Sequence, residues 1–269
     1  MAERLVADPQ WSLTWCRGPD AVSFLQGLLS ADLEVPAGTV TRSFLLHPQG
    51  KVRALFWVLV GDEEIGLITD AGVAEDAIDA LRRYRIRVEA DFEVDERPLR
   101  VVLEDAEPGW SDSDGVLIAD VGVHGTARSL VVGSPAQPTI SAEEWDAWRI
   151  SHGEPISGVD IDESTIPQET GLVPDTVSFT KGCYLGQELV ARIDTRGRVN
   201  QRLVVVEAEG PIAVADVVVG ADREAALTSV APSGDGWIGL AAVRREVEDG
   251  DAVVVRTAAG GVPATVREP

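Results

Sequence analysis

The chain has 269 residues, 45% apolar and 25% charged, with a formal charge of −22 at pH 7. That length and balance describe a globular protein of two or three structural units, not a disordered chain. The acidity excludes contact with nucleic acid or anionic membrane through a broad surface, because both need a positive face. In chain order, Pro19 to Leu29 reads as a helix, with proline in its first turn and Ala21, Phe24, Leu25 and Leu28 on one side. Ser43 to Leu46 and Val52 to Val60 are β-rich runs joined by the turn His47-Pro48-Gln49-Gly50, and Ile65 to Thr69 is a third strand. Ala74 to Tyr84 is helical, with Arg82 and Arg83 complementing the dipole at its end. Val88 to Val94, Leu99 to Leu103, Val116 to Val121 and Ser129 to Val132 read as strands.

A helix from Ala142 to about His152 has defined ends, a capping box of Ser141 and Glu144 and a glycine exit at Gly153. Trp145 and Trp148 lie three apart on it, a spacing that predicts core packing. Pro155 to Pro174 is loop-like. Leu185, Leu189 and Ile193 then repeat every four residues, which places a helix start within the run that begins at Lys181. Arg202 to Arg256 is valine-rich and turn-punctuated and reads as a small β-barrel or sandwich, so residues 1–199 and 200–269 are the expected units.

No apolar stretch approaches the ~20 residues that span a bilayer. Met1-Ala2-Glu3-Arg4-Leu5 lacks a secretory pattern, and Glu3 and Asp8 argue against a transit peptide. Two cysteines, Cys16 and Cys183, make no disulfide framework and cannot supply the four thiolates of a typical iron–sulfur cluster. A cytoplasmic location is expected. His47, His124 and His152 sit in separate segments with no ligand spacing, so no metal site is expected. Neither a dinucleotide fingerprint nor a P-loop occurs.

The most informative stretch is Thr180-Lys181-Gly182-Cys183-Tyr184-Leu185-Gly186-Gln187-Glu188. It holds one of the chain's two lysines, one of its two cysteines and one of its two tyrosines. Placed just inside a helix start, Cys183 would face unpaired N–H groups that favour a thiolate, with Lys181 adding positive charge. Tyr184 can stack or donate a hydrogen bond, and Gln187 and Glu188 offer an amide and a carboxylate. Taken in isolation, Cys183 reads as a small buried hydrophobe and Lys181 as a solvated charge; beside the surrounding Gly, Gly and Gln-Glu the functional reading leads.

Lys181, Gly182, Cys183, Tyr184, Gly186, Gln187 and Glu188 match without a gap the K-G-C-Y-x-G-Q-E stretch of the YgfZ family, which the chain thereby resembles. Phe24-Leu25-Gln26-Gly27 with Asp32, Gly50-Lys51-Val52, Ile166 to Leu172, Arg196 to Arg202 and Ile238 to Ala241 resemble further family segments. These are bacterial folate-binding proteins that support iron–sulfur enzymes, and they share their fold with the glycine cleavage aminomethyltransferase, the T-protein. The resemblance implies an α+β arrangement of three subdomains around a central channel, with a C-terminal small β-barrel. It implies tetrahydrofolate as cofactor, with Glu169, Gln187 and Glu188 on the folate side and Cys183, Lys181 and Tyr184 as the reactive group. The implied partners are folate and iron–sulfur client enzymes or assembly factors, including enzymes that modify tRNA, with no direct nucleic-acid or membrane contact. One departure separates the two relatives. The T-protein carries its catalytic aspartate in the strand after the Gly-rich turn, whereas Val52 to Val60 has no acid. Glycine cleavage activity is therefore not expected. A folate-dependent one-carbon transferase or demethylase, and a non-catalytic folate-binding scaffold, are the alternatives.

Overall fold

The computed structural model describes residues 4–104, 106–123, 125–220 and 223–268; His124 lies outside them. Strand β4 (Val52–Val60) carries a single charge, Arg53, and turns apolar groups to both sides. Phe56, Val58 and Val60 point one way and Trp57 and Leu59 the other. A strand apolar on both faces needs cover on both. It lies in a five-stranded antiparallel sheet with β3 (Val40–Leu46), β5 (Glu64–Asp70), β2 (Trp11–Arg17) and β6 (Asp91–Val94), ordered β3-β4-β5-β2-β6.

Helices α1 (Ala21–Gln26) and α2 (Ala71–Arg82) cover one face, burying Leu25, Ala77, Ile78 and Leu81. A second antiparallel sheet covers the other, in the order β1-β7-β10-β9-β8. Its strands are β1 (Val6–Ala7), β7 (Leu99–Val102), β8 (Trp110–Ser113), β9 (Val116–Asp120) and β10 (Ser129–Val132). Helix α3 (Ala142–Ser151) adds Trp145 to that core. Its capping box is present, with the Ser141 hydroxyl accepting from the Glu144 N–H and the Glu144 carboxylate accepting from the Ser141 N–H.

Beyond α3 the chain forms a 3-10 turn at Pro167–Glu169, the short helix α4 (Val173–Thr176) and helix α5 (Gln187–Arg196). The remaining strands are β11 (Gln201–Ala208), β12 (Val217–Gly220), β13 (Arg223–Ser233), β14 (Gly236–Arg244), β15 (Ala252–Thr257) and β16 (Gly260–Arg267). They close a barrel in the order β11-β14-β13-β12-β15-β16, as the valine-rich sequence predicts.

Several boundaries differ from the sequence expectation. The first helix stops at Gln26; the Leu28 and Leu29 N–H groups still bond the Leu25 carbonyl, and Leu29 also pairs with Leu45 of β3, which draws the chain onto the sheet. The strand expected from Val88 begins at Asp91. Strands β1, β2 and β8 were not anticipated; β8, Trp-Ser-Asp-Ser, is a polar edge strand without an apolar period.

The units meet around buried arginines. Arg128 is fully buried and reaches Glu154 with both terminal nitrogens, at 3.0 Å for Nη2–Oε1. Its Nε donates to the Val121 carbonyl at 3.0 Å. Trp11, Trp57, Trp145 and Trp148 surround it at 5.1–5.7 Å from their ring centroids. Burial opposes ionisation of Glu154, yet the charge and hydrogen bonds of Arg128 hold its carboxyl below the usual range. Arg149 donates to Asp146, to the Glu154 carbonyl, to Asp160 and, across to the barrel, to the Ser229 hydroxyl at 2.8 Å. Breaking a buried pair from one side leaves an uncompensated charge, so Glu154→Ala should lower the unfolding free energy by roughly 3–5 kcal/mol. Urea denaturation measures this, and a loss under about 1 kcal/mol would mean the pair does not hold the junction.

Candidate functional site

The Lys181–Glu188 run lies before a helix, not in one. Helix α5 begins at Gln187, four residues beyond Cys183, and its N-cap is Gly186 in the left-handed region at φ 79°. This corrects the expectation that Cys183 sits inside a helix start, and it removes the helix-dipole argument for a thiolate. The reason is steric. A Cβ on Gly186 would lie 2.6 Å from the His47 carbonyl oxygen, and one on Gly50 would lie 2.6 Å from Leu189 Cβ. The 47–50 turn and the start of α5 pack backbone to backbone, and only glycine permits it.

Lys181 is engaged with backbone carbonyls. Its ammonium donates to the carbonyls of Leu29 at 2.9 Å and Ala31 at 2.5 Å and lies 5.5 Å from the Tyr184 ring centroid. Burial lowers its pKa to about 8, against the pull of Asp32 and Glu34. Tyr184 is buried with Phe44, Leu46, Val52, Leu55 and Leu172. Its hydroxyl has no hydrogen-bond partner, and burial pushes it up to about 12. Cys183 is exposed, whereas Cys16 is buried and its thiol is pushed up to about 12 by that burial. Gly182 has open space where a Cβ would stand, so packing within the chain does not require it. Gln187 is half-buried and Glu188 exposed in the first turn of α5. Glu169 ends the 3-10 turn and accepts from the Ile166 N–H at 3.0 Å, packed beside α5.

A separate pocket opens where the first sheet meets α3 and the loop after it. Trp11, Trp57 and Trp145 give it aromatic walls, Leu55 lies between them, and Arg42 and Asp70 supply opposite charges. None of the six site residues named from sequence lines it; Leu55, which packs in the same cluster as Tyr184, is the link between the two regions. Asp70 ends β5, and one carboxylate oxygen accepts from the Ser157 N–H at 2.7 Å. Burial, and then Glu154, push its carboxyl up to about 6, opposed by the Ser157 N–H and Arg149. Arg42 is 5% exposed, stands opposite Trp57 in the β3–β4 register and stacks on it at 4.9 Å. Its Nε and Nη2 are buried with no hydrogen-bond partner among the described residues. The sequence pattern does not show Arg42 and Asp70, because it starts the first strand at Ser43 and ends the third at Thr69; an arginine abutting an apolar strand is the available signal. Trp145, assigned to core packing, is both core and pocket wall. Among the described residues no cluster of three or more His, Cys, Asp or Glu could hold a metal ion, and no helix is long and apolar enough to cross a membrane.

No protein-family model matches the chain. Individual proteins do. It is 29% identical to the tRNA-modifying protein YgfZ of Photorhabdus laumondii, over 72% of this chain and 67% of that protein. It is 27% identical to the mitochondrial iron–sulfur cluster assembly factor IBA57 of Mus musculus, over 89% and 77%. The chain is thus similar to YgfZ and IBA57 proteins over most of its length. Its fold is that of the T-protein: the glycine cleavage system aminomethyltransferase T from Bartonella henselae superposes with a TM-score of 0.82 at 18% identity, covering 99% of this chain and 86% of that one. On the T-protein fold, the YgfZ-like stretch forms an exposed loop before α5, and the aromatic pocket lies at the junction of the units.

Tyr184→Phe removes a hydroxyl that has no partner among the described residues, so unfolding free energy should stay within about 1 kcal/mol of the parent or rise. A loss above about 2 kcal/mol would reveal a hydrogen bond to the hydroxyl.

Proposed function

We propose that this protein binds tetrahydrofolate in the tryptophan-walled pocket and supports assembly or repair of iron–sulfur clusters in client enzymes, including enzymes that modify tRNA. One observation carries the folate half. The pocket joins flat aromatic walls to two carboxylates, Asp70 and Glu154, and two guanidiniums, Arg149 and Arg42, the last with Nε and Nη2 unpartnered among the described residues. Apolar walls with a few convergent polar groups are the usual make-up of a small-ligand site, and with free space of about 30 Å³, room for about one water, this one must widen to take a ring. A pteridine has two flat faces for the tryptophans, an edge of N–H donors for a carboxylate and a ring carbonyl for a guanidinium. When bound, a reduced folate supplies a carrier nitrogen for one-carbon units. The name of the IBA57 relative supports the iron–sulfur half, and that of the YgfZ relative supports the link to tRNA modification. In this chain Cys183 is the exposed thiol on an irregular loop, open to a partner protein, while Lys181 and Tyr184 fix the path of that loop from beneath. The folate, client enzymes and assembly factors are the expected partners.

A second reading is favoured by Asp70. The T-protein-like acid is missing from β4, but a carboxylate does reach the pocket from the end of β5. That keeps a folate-dependent one-carbon transferase or demethylase in view, and production of formaldehyde or methylene-folate by the purified protein is its test. A third reading, a folate-binding scaffold in which Cys183 does no chemistry, predicts that Cys183→Ser complements fully.

Calorimetry should find tetrahydrofolate binding in the micromolar range, about −8 kcal/mol. An absence of heat and of thermal protection at millimolar ligand would remove the cofactor. The affinity should fall as pH drops through about 6, where Asp70 takes up a proton and can no longer accept two N–H groups. Arg42, Arg149, Glu154 and the Ser157 N–H face that carboxylate. The same shift has the opposite sign for the apoprotein: an acid raised from 3.8 to about 6 by folding favours the fold at low pH, and that contribution is lost as pH rises through this window.

Cys183→Ser should preserve folding and folate binding yet abolish support of iron–sulfur enzymes in a complementation assay. Full complementation would favour the scaffold.

A further inference from the structure

Charge is unevenly spread over this acidic chain. Arg82-Arg83-Tyr84-Arg85-Ile86-Arg87 holds four arginines and no acid. It comprises the last residue of α2 and the turn that follows, in which the Tyr84 N–H donates to the Leu81 carbonyl and the Arg85 N–H to the Arg82 carbonyl. All six residues are exposed, including the apolar pair, Tyr84 at 41% and Ile86 at 75%. Arg82 is tied to Asp79, and Arg85 to Asp91 and the Ala90 carbonyl. Arg83 and Arg87 make no side-chain hydrogen bond or ion pair among the described residues. Arg87 is also held in the left-handed region at φ 58°, which a residue with a side chain rarely adopts. A cleft with a free volume of about 80 Å³, enough for one aliphatic side chain, opens beside this turn. Leu45, Pro48, Ala80 and Leu185 give it apolar lining, and Arg83 and Tyr84 border it. His47 and Arg53 border it too, but they are engaged by Glu163 and Asp76. Leu185 lies two residues beyond Cys183, so the cleft joins the arginine turn to the loop that carries the exposed thiol.

We infer that the Arg82–Arg87 turn and this cleft are the docking site for a client protein, which offers a short acidic segment with one aliphatic anchor. The anchor fills the cleft, and carboxylates on either side of it meet Arg83 and Arg87. Tyrosine and arginine side by side are the residues that dominate protein–protein contacts. Two unpaired cations on a chain of net charge −22 select an acidic partner by complementarity. A nucleic acid fits less well. Its charge continues along its whole length, and here Glu75, Asp76 and Asp79 on one side of the turn and Glu89, Asp91 and Glu93 on the other are all exposed. A peptide can confine its acids to the six residues that welcome them. The inference rests on the reading of this protein as an aid to other enzymes, and it deepens that reading by giving the client a place beside Cys183.

The experiment follows the fluorescence anisotropy of labelled probes on titration with the full chain. One probe is a peptide of Asp and Glu with a single central leucine, the second has serine in place of that leucine, and the third is an oligouridylate of the same length. The variants are Arg83→Glu with Arg87→Glu, Tyr84→Ala and, as a control of equal charge on the barrel, Arg245→Glu with Arg256→Glu. The parent should bind the leucine peptide with a Kd below about 100 µM, and added salt should weaken it. The serine peptide should bind about tenfold more weakly, the loss expected for one buried aliphatic side chain. Reversing Arg83 and Arg87 should cost at least about tenfold with an unchanged thermal midpoint, because neither side chain supports the fold. Tyr84→Ala should also weaken binding, and the barrel control should match the parent. In the complementation assay the Arg83 and Arg87 double variant should fail while still binding tetrahydrofolate as the parent does. The inference is overturned if neither peptide binds at millimolar concentration, if the two peptides bind alike, or if the double variant binds or complements as the parent does. Preference for the uridylate would make the turn an RNA contact, and a dimer dispersed by the double variant would make it a self-interface; either result overturns the assignment to a client. Each of these outcomes leaves the folate and thiol readings standing, since tetrahydrofolate calorimetry and Cys183→Ser test those separately.

Discussion

Charged groups taken out of water must find counter-groups, and in this chain that requirement acts where the two sheets, α3 and the barrel converge. Arg128 and Glu154 form a bidentate pair inside a tryptophan shell, and Arg149 reaches Asp160 and the barrel hydroxyl of Ser229. Thr228 of β13 also donates to Asp160, so one carboxylate is held by the barrel and by α3 at once. Such pairs add little net stability compared with apolar packing, but they tolerate few arrangements, because each displaced partner leaves a buried charge exposed to nothing. The position of α3 over the first sheet follows from them. The pocket follows in turn, since its outer wall is Trp145 and the loop carrying Glu154.

The distribution of cations separates two tasks. The chain is strongly acidic overall, yet its buried cations at the junction are all arginines, whose planar fork can satisfy several acceptors at once. Lys181 is used where a fork would not fit. Its ammonium caps two converging carbonyls, of Leu29 and Ala31, at the end of the α1 region and lies near the ring of Tyr184. The scarcity of lysine therefore marks a real constraint, but the constraint is the shape of a carbonyl niche.

The pocket and the thiol loop are separate sites joined by packing. Leu55 of β4 contributes to the pocket and also to the cluster that buries Tyr184. Tyr184 is next in sequence to Cys183, so the loop that exposes the thiol is anchored on the same strand that floors the pocket. A ligand that shifts Leu55 has a contiguous set of contacts through which to alter that loop.

The sequence by itself determined the elements whose signals are local. The capping box of α3, the apolar run of β4, the 47–50 turn and the valine-rich barrel all depend on neighbours within a few residues, and those relationships survive in the folded chain. It also singled out the Lys181–Glu188 run from composition, and its motif pointed to the YgfZ relatives and the T-protein fold. Only the tertiary structure decided where α5 begins. The contact of Gly186 with Gly50 joins residues far apart in the chain and overrides the four-residue period of Leu185, Leu189 and Ile193. It also decided which arginine lacks a partner. Arg42, Arg128 and Arg149 are chemically identical in the sequence, and a guanidinium is satisfied or orphaned only by acceptors that folding brings to it.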